Sequence, residues 1–255
     1  MITTIHTDRL VVISDLHLGN PFSNAKKKVI PFLKWAAAEK FDVCINGDGL
    51  EIAQSSFAKV AFEVPEFFRV LGEFKRAGRE VFYVTGNHDI ALEHFLEDWG
   101  VMKVSPFLNV HSGETRVRIE HGHIYDPFFV KFPVLYEGLT HFAGLLLKIN
   151  PSLYKLWITF EKWTSYRRSK KSGIVGERPH FREAAEELSR RGFDAVIFGH
   201  THHQGHRELE NGSNYFNTGS WMLTPHYAKI ENGKVSLEEW KEPVRLRWVG
   251  SSSSV

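Results

Sequence analysis

The sequence has little cysteine and no long apolar run. Its 255 residues contain a single cysteine, Cys44, which excludes an intramolecular disulfide and a CxxC metal knuckle. The longest uninterrupted apolar stretches, such as 142–147 with its glycine, are far shorter than the about 20 residues that cross a bilayer. The first nine residues lack the basic and then apolar pattern of a signal peptide. These absences predict a cytoplasmic protein of a reducing compartment.

A strong charge of one sign is also missing. The chain has 32 lysines and arginines against 30 aspartates and glutamates, a formal net charge of +2. So weak a positive charge provides little of the electrostatic attraction expected of a duplex binder, and no nucleic-acid partner is expected. With 42% hydrophobic and 24% charged residues, the composition is that of a globular protein. We expect one domain over residues 1–255.

Short apolar runs alternate with helical patterns along the chain. Each run ends in turn-forming residues and indicates a buried strand: 10–13, 43–45, 81–84, 117–119, 195–198 and 215–216. Helices are predicted over 25–40, 64–77 and 181–191, and a hairpin is predicted around Asn232-Gly233. This alternation predicts an α/β domain whose functional loops follow the carboxyl ends of strands.

One segment breaks the alternation. Residues from about 126 to 182 are rich in Phe, Leu, Trp and Tyr and then become basic, which indicates an inserted helical cap. Its apolar side chains could simply pack the cap helices together. They could instead form a groove for acyl chains, with the basic cluster 167–171 meeting phosphate or an anionic bilayer. The second interpretation predicts peripheral contact with the inner membrane.

Fourteen histidines are many for this length, and several stand with acidic residues directly after the apolar runs. The metal-type side chains at these positions are Asp15, His17, Asp48, Asn87, His88, Asp89, His121, His123, His200 and His202. Each pair alone could be a helix cap, a turn or a surface pair. Together they suit a pair of divalent ions that clamps the oxygens of an in-line displacement at phosphorus. A carboxylate such as Asp48 can bridge both ions because it offers two oxygens.

In this order the motifs resemble those of the calcineurin-like metallophosphoesterases. The family pattern is Asp-x-His, Gly-Asp, Gly-Asn-His-Asp/Glu, His, and Gly-His-x-His, and all five blocks occur between Asp15 and His202. The resemblance implies a four-layer α-β-β-α sandwich with a dinuclear metal centre at one rim. It implies an enzyme in which a metal-bound hydroxide attacks a phosphodiester or pyrophosphate bond. Mn²⁺ is the first expected ion, and Fe²⁺, Zn²⁺, Ni²⁺ and Co²⁺ are alternatives.

The resemblance also implies a role for each motif residue. The ligands of one ion would be Asp15, His17 and His202, and those of the other would be Asn87, His121 and His200. Asp48 would bridge the two ions. His88 would face the substrate and stabilise or protonate the leaving oxygen, and Asp89 would orient His88. An imidazole steadied by a carboxylate suits proton delivery near neutral pH.

The cap and its place among the motifs resemble the branch related to UDP-2,3-diacylglucosamine pyrophosphatase, an enzyme of lipid A synthesis. This resemblance implies release of UMP and a lipid monosaccharide phosphate from a lipid-linked pyrophosphate. That branch usually has Arg where this chain has His88, and Asp where it has His123. A small soluble nucleotide, cyclic phosphodiester or phosphomonoester is therefore the alternative substrate. A non-enzymatic scaffold on the same fold would predict gaps among the ligands, and the core positions have none.

Overall fold

The computed structural model describes residues 4–20, 23–95, 98–150 and 177–242, and the single positions 152, 156, 159 and 163. Within them, twelve strands form two six-stranded sheets. The first sheet is ordered β1 (Thr4–His6), β6 (Leu108–Ser112), β7 (Thr115–Ile119), β8 (Ala195–Phe198), β10 (Asn214–Asn217) and β9 (Gly205–Glu208). The second is ordered β12 (Lys234–Glu239), β11 (His226–Glu231), β2 (Arg9–Ile13), β3 (Asp42–Asn46), β4 (Val81–Val84) and β5 (Lys103–Ser105).

The apolar strands bury both of their faces, which is why they appear as continuous apolar runs in the sequence. Leu10 and Val12 of β2 point between the two sheets, where they pack with residues such as Val117 of β7. Val11 and Ile13 point to the opposite side and pack against helices. This two-residue alternation places the second sheet between two apolar layers.

Helices cover the outer face of each sheet. The second sheet is covered by α1 (Ala25–Ala38), α2 (Phe57–Glu63) and α3 (Pro65–Arg76). The first sheet is covered by α6 (Pro179–Arg190). The layers therefore follow the order helix, sheet, sheet, helix, and the expected four-layer sandwich is confirmed.

Local sequence signals explain where several elements begin and end. The predicted helix over 64–77 begins at Pro65 and follows a separate α2, because a proline disfavours helical geometry in the residue before it. Val64 accordingly has φ −128° and ψ 48°. The predicted hairpin is confirmed, since Asn232 (φ 50°) and Gly233 (φ 76°) form the turn between β11 and β12.

The described part of the predicted cap follows β7. Asp126 accepts a hydrogen bond from the Phe128 amide, and α4 (Pro127–Lys131) begins there, followed by α5 (Pro133–Ile149). The outer limits of the cap at 126 and 182 stay a prediction. The basic cluster 167–171 and the serine tail 251–254 lie outside the described residues. Among the described helices, none has the length and apolar character needed to cross a membrane.

Candidate metal centre

The predicted ligands follow five strands that end at the same rim of the sandwich. Their positions along the chain are Asp15 and His17 after β2, Asp48 after β3, Asn87 after β4, His121 after β7, and His200 and His202 after β8. Within each sheet these strands are parallel, so their carboxyl ends lie at one edge. Hydrogen bonds join the edges of the two sheets, for example from Asn46 Nδ2 at the end of β3 to the Glu120 carbonyl after β7 at 2.8 Å.

Five of these residues have a left-handed backbone. The φ angles are 53° for Asp15, 46° for His17, 51° for Asp48, 65° for His200 and 58° for His202. Non-glycine residues rarely adopt this region, at a cost of order 1–3 kcal/mol each, and such residues cluster at functional sites. The sharp turns that aim the ligands are therefore made by the ligands themselves as well as by the neighbouring glycines.

Two glycines permit the close approach of these side chains. Gly47 has φ 75°, and a Cβ added there would collide with the imidazole of His121. A Cβ on Gly86 would collide with the carboxylate of Asp48. Both positions therefore require glycine for the ligands to converge.

Among the described residues, three sets of donor atoms each lie within 4.8 Å of one another, and the set of His17, Asp48 and His88 shares a residue with each of the other two. Those other two sets form separate groups. The first group consists of Asp15, His17 and His202, and the second of Asp48, His121 and His200. Asp48 lies between them, with Oδ2 3.4 Å from His121 Nε2 and 3.9 Å from His17 Nε2. Asn87 joins the second group, since its Oδ1 is 2.8 Å from His200 Nδ1 and 3.3 Å from His121 Nε2.

Within the described part of the chain, several buried polar atoms at and around the centre have no hydrogen-bond partner. Among the residues that the structure describes, neither His17 Nε2 nor Asp15 Oδ1 has a hydrogen-bond partner, although Asp15 Oδ1 lies 3.2 Å from His202 Nε2. Buried polar atoms are normally satisfied, so such atoms fit a site that accepts a cation. The mixture of carboxylate, amide and imidazole donors fits a divalent transition metal.

Buried opposite charges dominate the electrostatics of the centre. Burial by itself would raise the pKa of Asp48, but the charges of His121 and His88 outweigh it and hold that pKa well below its usual value. Burial would lower the pKa of His121, but Asp48 and Asp15 raise it to about 9. The carboxylates thus require positive charge close by, which divalent cations would also supply.

Glu51 is a residue of this centre that the sequence reasoning missed. It is 2% exposed, and its Oε1 is 2.6 Å from His88 Nδ1 while its Oε2 is 3.0 Å from His17 Nδ1. One carboxylate therefore orients both a predicted ligand and the predicted acid. A signal was present, because Glu51 closes the motif Asn-Gly-Asp-Gly-Leu-Glu three residues after Asp48.

Asp89 occupies a different place from the one expected. Its Oδ2 accepts hydrogen bonds from the Tyr83 hydroxyl and the Gly49 amide, and its Oδ1 accepts one from the Gly86 amide at 2.6 Å. These contacts tie together the loops after β3 and β4. The resemblance implied that Asp89 orients His88, but the carboxylate that contacts the His88 ring in the structure is that of Glu51.

His123 lies behind the second group. It is 5% exposed, its ring packs edge-on against Phe129 with centroids 5.0 Å apart, and it is in neither donor group. Burial, with the nearby charges of His121 and His200, lowers its pKa to about 3. Within the described residues its Nδ1 has no hydrogen-bond partner.

Glu177 anchors the loop that carries His200 and His202. Its Oε1 accepts hydrogen bonds from the Tyr215 hydroxyl (2.6 Å), Asn217 Nδ2 (2.6 Å) and the Thr201 hydroxyl (3.1 Å). Burial raises the Glu177 pKa to about 7, although these hydrogen bonds oppose the rise.

We expect Glu177→Gln to stabilise the fold at alkaline pH. The folded state keeps its proton up to about pH 7, while unfolded glutamate loses it near pH 4.5, so the free energy of unfolding decreases between these values. Ionisation of Glu177 should lower the free energy of unfolding of the parent by about 3 kcal/mol above pH 7, and about 1 kcal/mol of this loss should already be present at pH 5. Urea unfolding in EDTA at pH 5 and 8.5 measures it, with the exposed Glu183→Gln as control. A gain that is equal at both pH values would contradict the prediction.

A family model matches most of the chain, and solved structures resemble it at low sequence identity. The family model described as calcineurin-like phosphoesterase matches residues 8–204. Among solved structures, vacuolar protein sorting 29 from Cryptosporidium parvum is 16% identical, with 91% of this chain and 97% of that chain covered and a TM-score of 0.46. A dimetal phosphatase from Danio rerio is 11% identical, with 91% and 95% covered and a TM-score of 0.47. A comparison with curated proteins found no match. Because the family model spans most of the sequence, the chain belongs to the calcineurin-like phosphoesterase family and is a metal-dependent phosphoesterase.

Proposed function

We propose that this enzyme hydrolyses a phosphodiester or pyrophosphate bond with two divalent ions, Mn²⁺ being the first candidate. One ion is assigned to Asp15, His17 and His202, and the other to Asn87, His121 and His200. Asp48 is assigned as the bridge. The observation that carries the proposal is the pair of donor groups with Asp48 Oδ2 between them. When bound, two such ions activate a water nucleophile and withdraw charge from the phosphoryl oxygens.

His88 is proposed as the acid that protonates the leaving oxygen. Its Nδ1 is held by Glu51 at 2.6 Å, so Nε2 is the ring atom that can donate to the substrate. Its backbone amide donates to Asp48 Oδ1 at 2.8 Å, and a ring nitrogen lies within 4.8 Å of the Asp48 carboxylate. The acid and the proposed bridge are thereby held in one hydrogen-bonded unit.

We expect Glu51→Gln to lower kcat about 10- to 100-fold, the range typical of residues that orient metal ligands. The amide of glutamine presents a donor where one of the two imidazoles requires an acceptor, so His17 or His88 loses its orientation. Steady-state kinetics test this effect, and the amount of bound Mn²⁺ is measured on the same samples. The exposed Glu114→Gln is the matched control, and a Glu51→Gln variant within twofold of the parent would contradict the assignment.

The first candidate substrate is a lipid-linked pyrophosphate of the UDP-2,3-diacylglucosamine type. Support comes from α5, where the Tyr136 hydroxyl is 2.8 Å from Asn87 Nδ2, so this helix borders the second donor group. The same helix exposes Leu135, Leu139 and Phe142, each about half accessible to solvent. Exposed apolar side chains beside the reaction centre suit acyl chains, and they also suit contact with a membrane surface.

The second candidate is a small soluble nucleotide, cyclic phosphodiester or phosphomonoester. The observation in its favour is His88, which stands where the lipid-linked branch usually has arginine. A proton donor at that position suits substrates whose leaving group is an alkoxide, because an alkoxide leaves poorly unless it is protonated.

Hydrolysis assays on metal-depleted protein test both candidates. Mn²⁺, Zn²⁺ or Mg²⁺ is added back, and the substrates are bis(p-nitrophenyl) phosphate, p-nitrophenyl phosphate and UDP-2,3-diacylglucosamine in mixed micelles. We expect strong metal-dependent release of UMP against weak activity on the p-nitrophenyl esters. Good activity on those esters without UMP release would favour the soluble substrate. No metal-dependent hydrolysis of any substrate would contradict the proposed two-metal chemistry.

A further inference from the structure

The two proposed ion sites are supported by different parts of the chain. In the first group, His17 Nδ1 is held by Glu51, and Asp15 Oδ2 accepts from the His200 backbone amide at 3.2 Å. These partners belong to loops of the sandwich. In the second group, His121 Nδ1 is 2.8 Å from the Asn46 carbonyl at the end of β3. His200 and Asn87, in contrast, are contacted by residues of the inserted segment.

Asp126 connects His200 to the start of α4. Its Oδ2 is 3.3 Å from His200 Nε2, while the opposite ring nitrogen, Nδ1, faces Asn87 Oδ1 at 2.8 Å. The second carboxylate oxygen, Oδ1, accepts from the Phe128 amide at 2.9 Å and caps the helix. One side chain therefore both begins the cap and sets the orientation of a proposed ligand.

Tyr136 connects Asn87 to α5. Asn87 Nδ2 donates to the Tyr136 hydroxyl at 2.8 Å, and this bond directs the nitrogen end of the amide towards α5. As a result Asn87 Oδ1 faces His200 and His121. Two neighbouring cap helices thus orient two ligands of the same proposed ion.

We infer that the cap controls occupancy of the second ion, the one assigned to Asn87, His121 and His200, and that Asp126 and Tyr136 are its positioning residues. The inference rests on the proposed two-ion function. Partners that orient ligands typically change metal affinity 10- to 100-fold when removed. The first ion, whose ligands Asp15 and His17 are oriented from the sandwich, should keep its affinity when these cap contacts are removed. The insertion therefore contributes to the second ion site by orienting two of its proposed ligands.

Mn²⁺ titration of the full chain tests this inference. The variants are Asp126→Asn, Tyr136→Phe and the double variant. Binding is measured by equilibrium dialysis and by electron paramagnetic resonance of the bound Mn²⁺. The parent should bind two ions and show the signal of a coupled pair. Each variant should bind one ion with parental affinity and the other about 10- to 100-fold more weakly, with the signal of an isolated ion at intermediate Mn²⁺. Val134→Ala, an exposed position on α5, is the control within the cap, and Glu183→Gln is the control for removing a carboxylate.

The possible failures are distinguishable. Unchanged affinities for both ions, or equal weakening of both, would overturn the inference while the parent still binds two ions and the proposed function stands. Tyr136→Phe preserves the ring and its packing, so a result from it does not depend on Asp126→Asn folding normally. A parent that binds fewer than two ions would overturn the proposed function, and the inference with it.

Discussion

Asp48→Ala is expected to release both ions, or to leave one loosely held, and to lower kcat/KM about 1000-fold. The Oδ2 atom of Asp48 lies 3.4 Å from His121 Nε2 and 3.9 Å from His17 Nε2, so its loss removes the carboxylate proposed to bridge the two ions. Metal ions contribute several kcal/mol to the stabilisation of a phosphoryl transition state, and about 4 kcal/mol corresponds to about 1000-fold in rate. Metal analysis after dialysis, together with the kinetics, measures both effects.

A second substitution separates loss of charge from loss of folding. Asp48→Asn keeps one side-chain oxygen for the His88 amide, whose hydrogen bond to Asp48 Oδ1 is 2.8 Å long, but it carries no charge to bridge two cations. It should therefore fold like the parent in thermal unfolding and still bind the ions poorly. Asp98→Asn, in an exposed loop, controls for removing an acidic side chain. A variant at position 48 that retains two ions and the full rate would remove Asp48 as the bridge.

His88→Ala is expected to keep both ions and to lower kcat by about 100- to 10,000-fold for substrates with poor leaving groups, the range usual for a general acid. The decrease should be much smaller with p-nitrophenyl esters, because p-nitrophenolate departs without protonation. The informative quantity is the ratio of the two effects, which a general loss of structure would not change. The exposed His94→Ala is the matched control.

Metal analysis of His88→Ala decides between two roles for this histidine. His17, Asp48 and His88 also have donor atoms within 4.8 Å of one another, so the geometry allows His88 to act as a ligand. If the variant loses an ion, His88 belongs to the ligands and another group must supply the proton. If it keeps both ions and the leaving-group dependence appears, the assignment of His88 as the acid stands.

The apolar runs were sufficient to predict an α/β domain and where its buried strands end, while the four layers were what the family resemblance implied. A strand buried on both faces requires a continuous apolar run, and such a run is visible locally, as at 10–13 and 81–84. Strands β1, β5, β6 and β9 gave no comparable signal because they are short or alternate with polar residues, as in the Gly-His-Arg-Glu of β9. The motifs after the apolar runs predicted which side chains converge, since parallel strands bring their carboxyl ends to one edge.

Contacts between separate segments were decided by the tertiary structure. Asp89 follows His88 directly, yet it binds Tyr83 and three backbone amides, while Glu51, 37 residues away in sequence, reaches the His88 ring. Likewise, Tyr136 meets Asn87 across 49 residues. Neighbouring residues at a sharp turn point in different directions, so adjacency in sequence does not determine which carboxylate meets an imidazole. The sequence by itself determined the chemistry available at the rim. Only the packing of loops and inserted helices decided which groups orient which ligands, because those distances depend on how the two sheets and the cap meet.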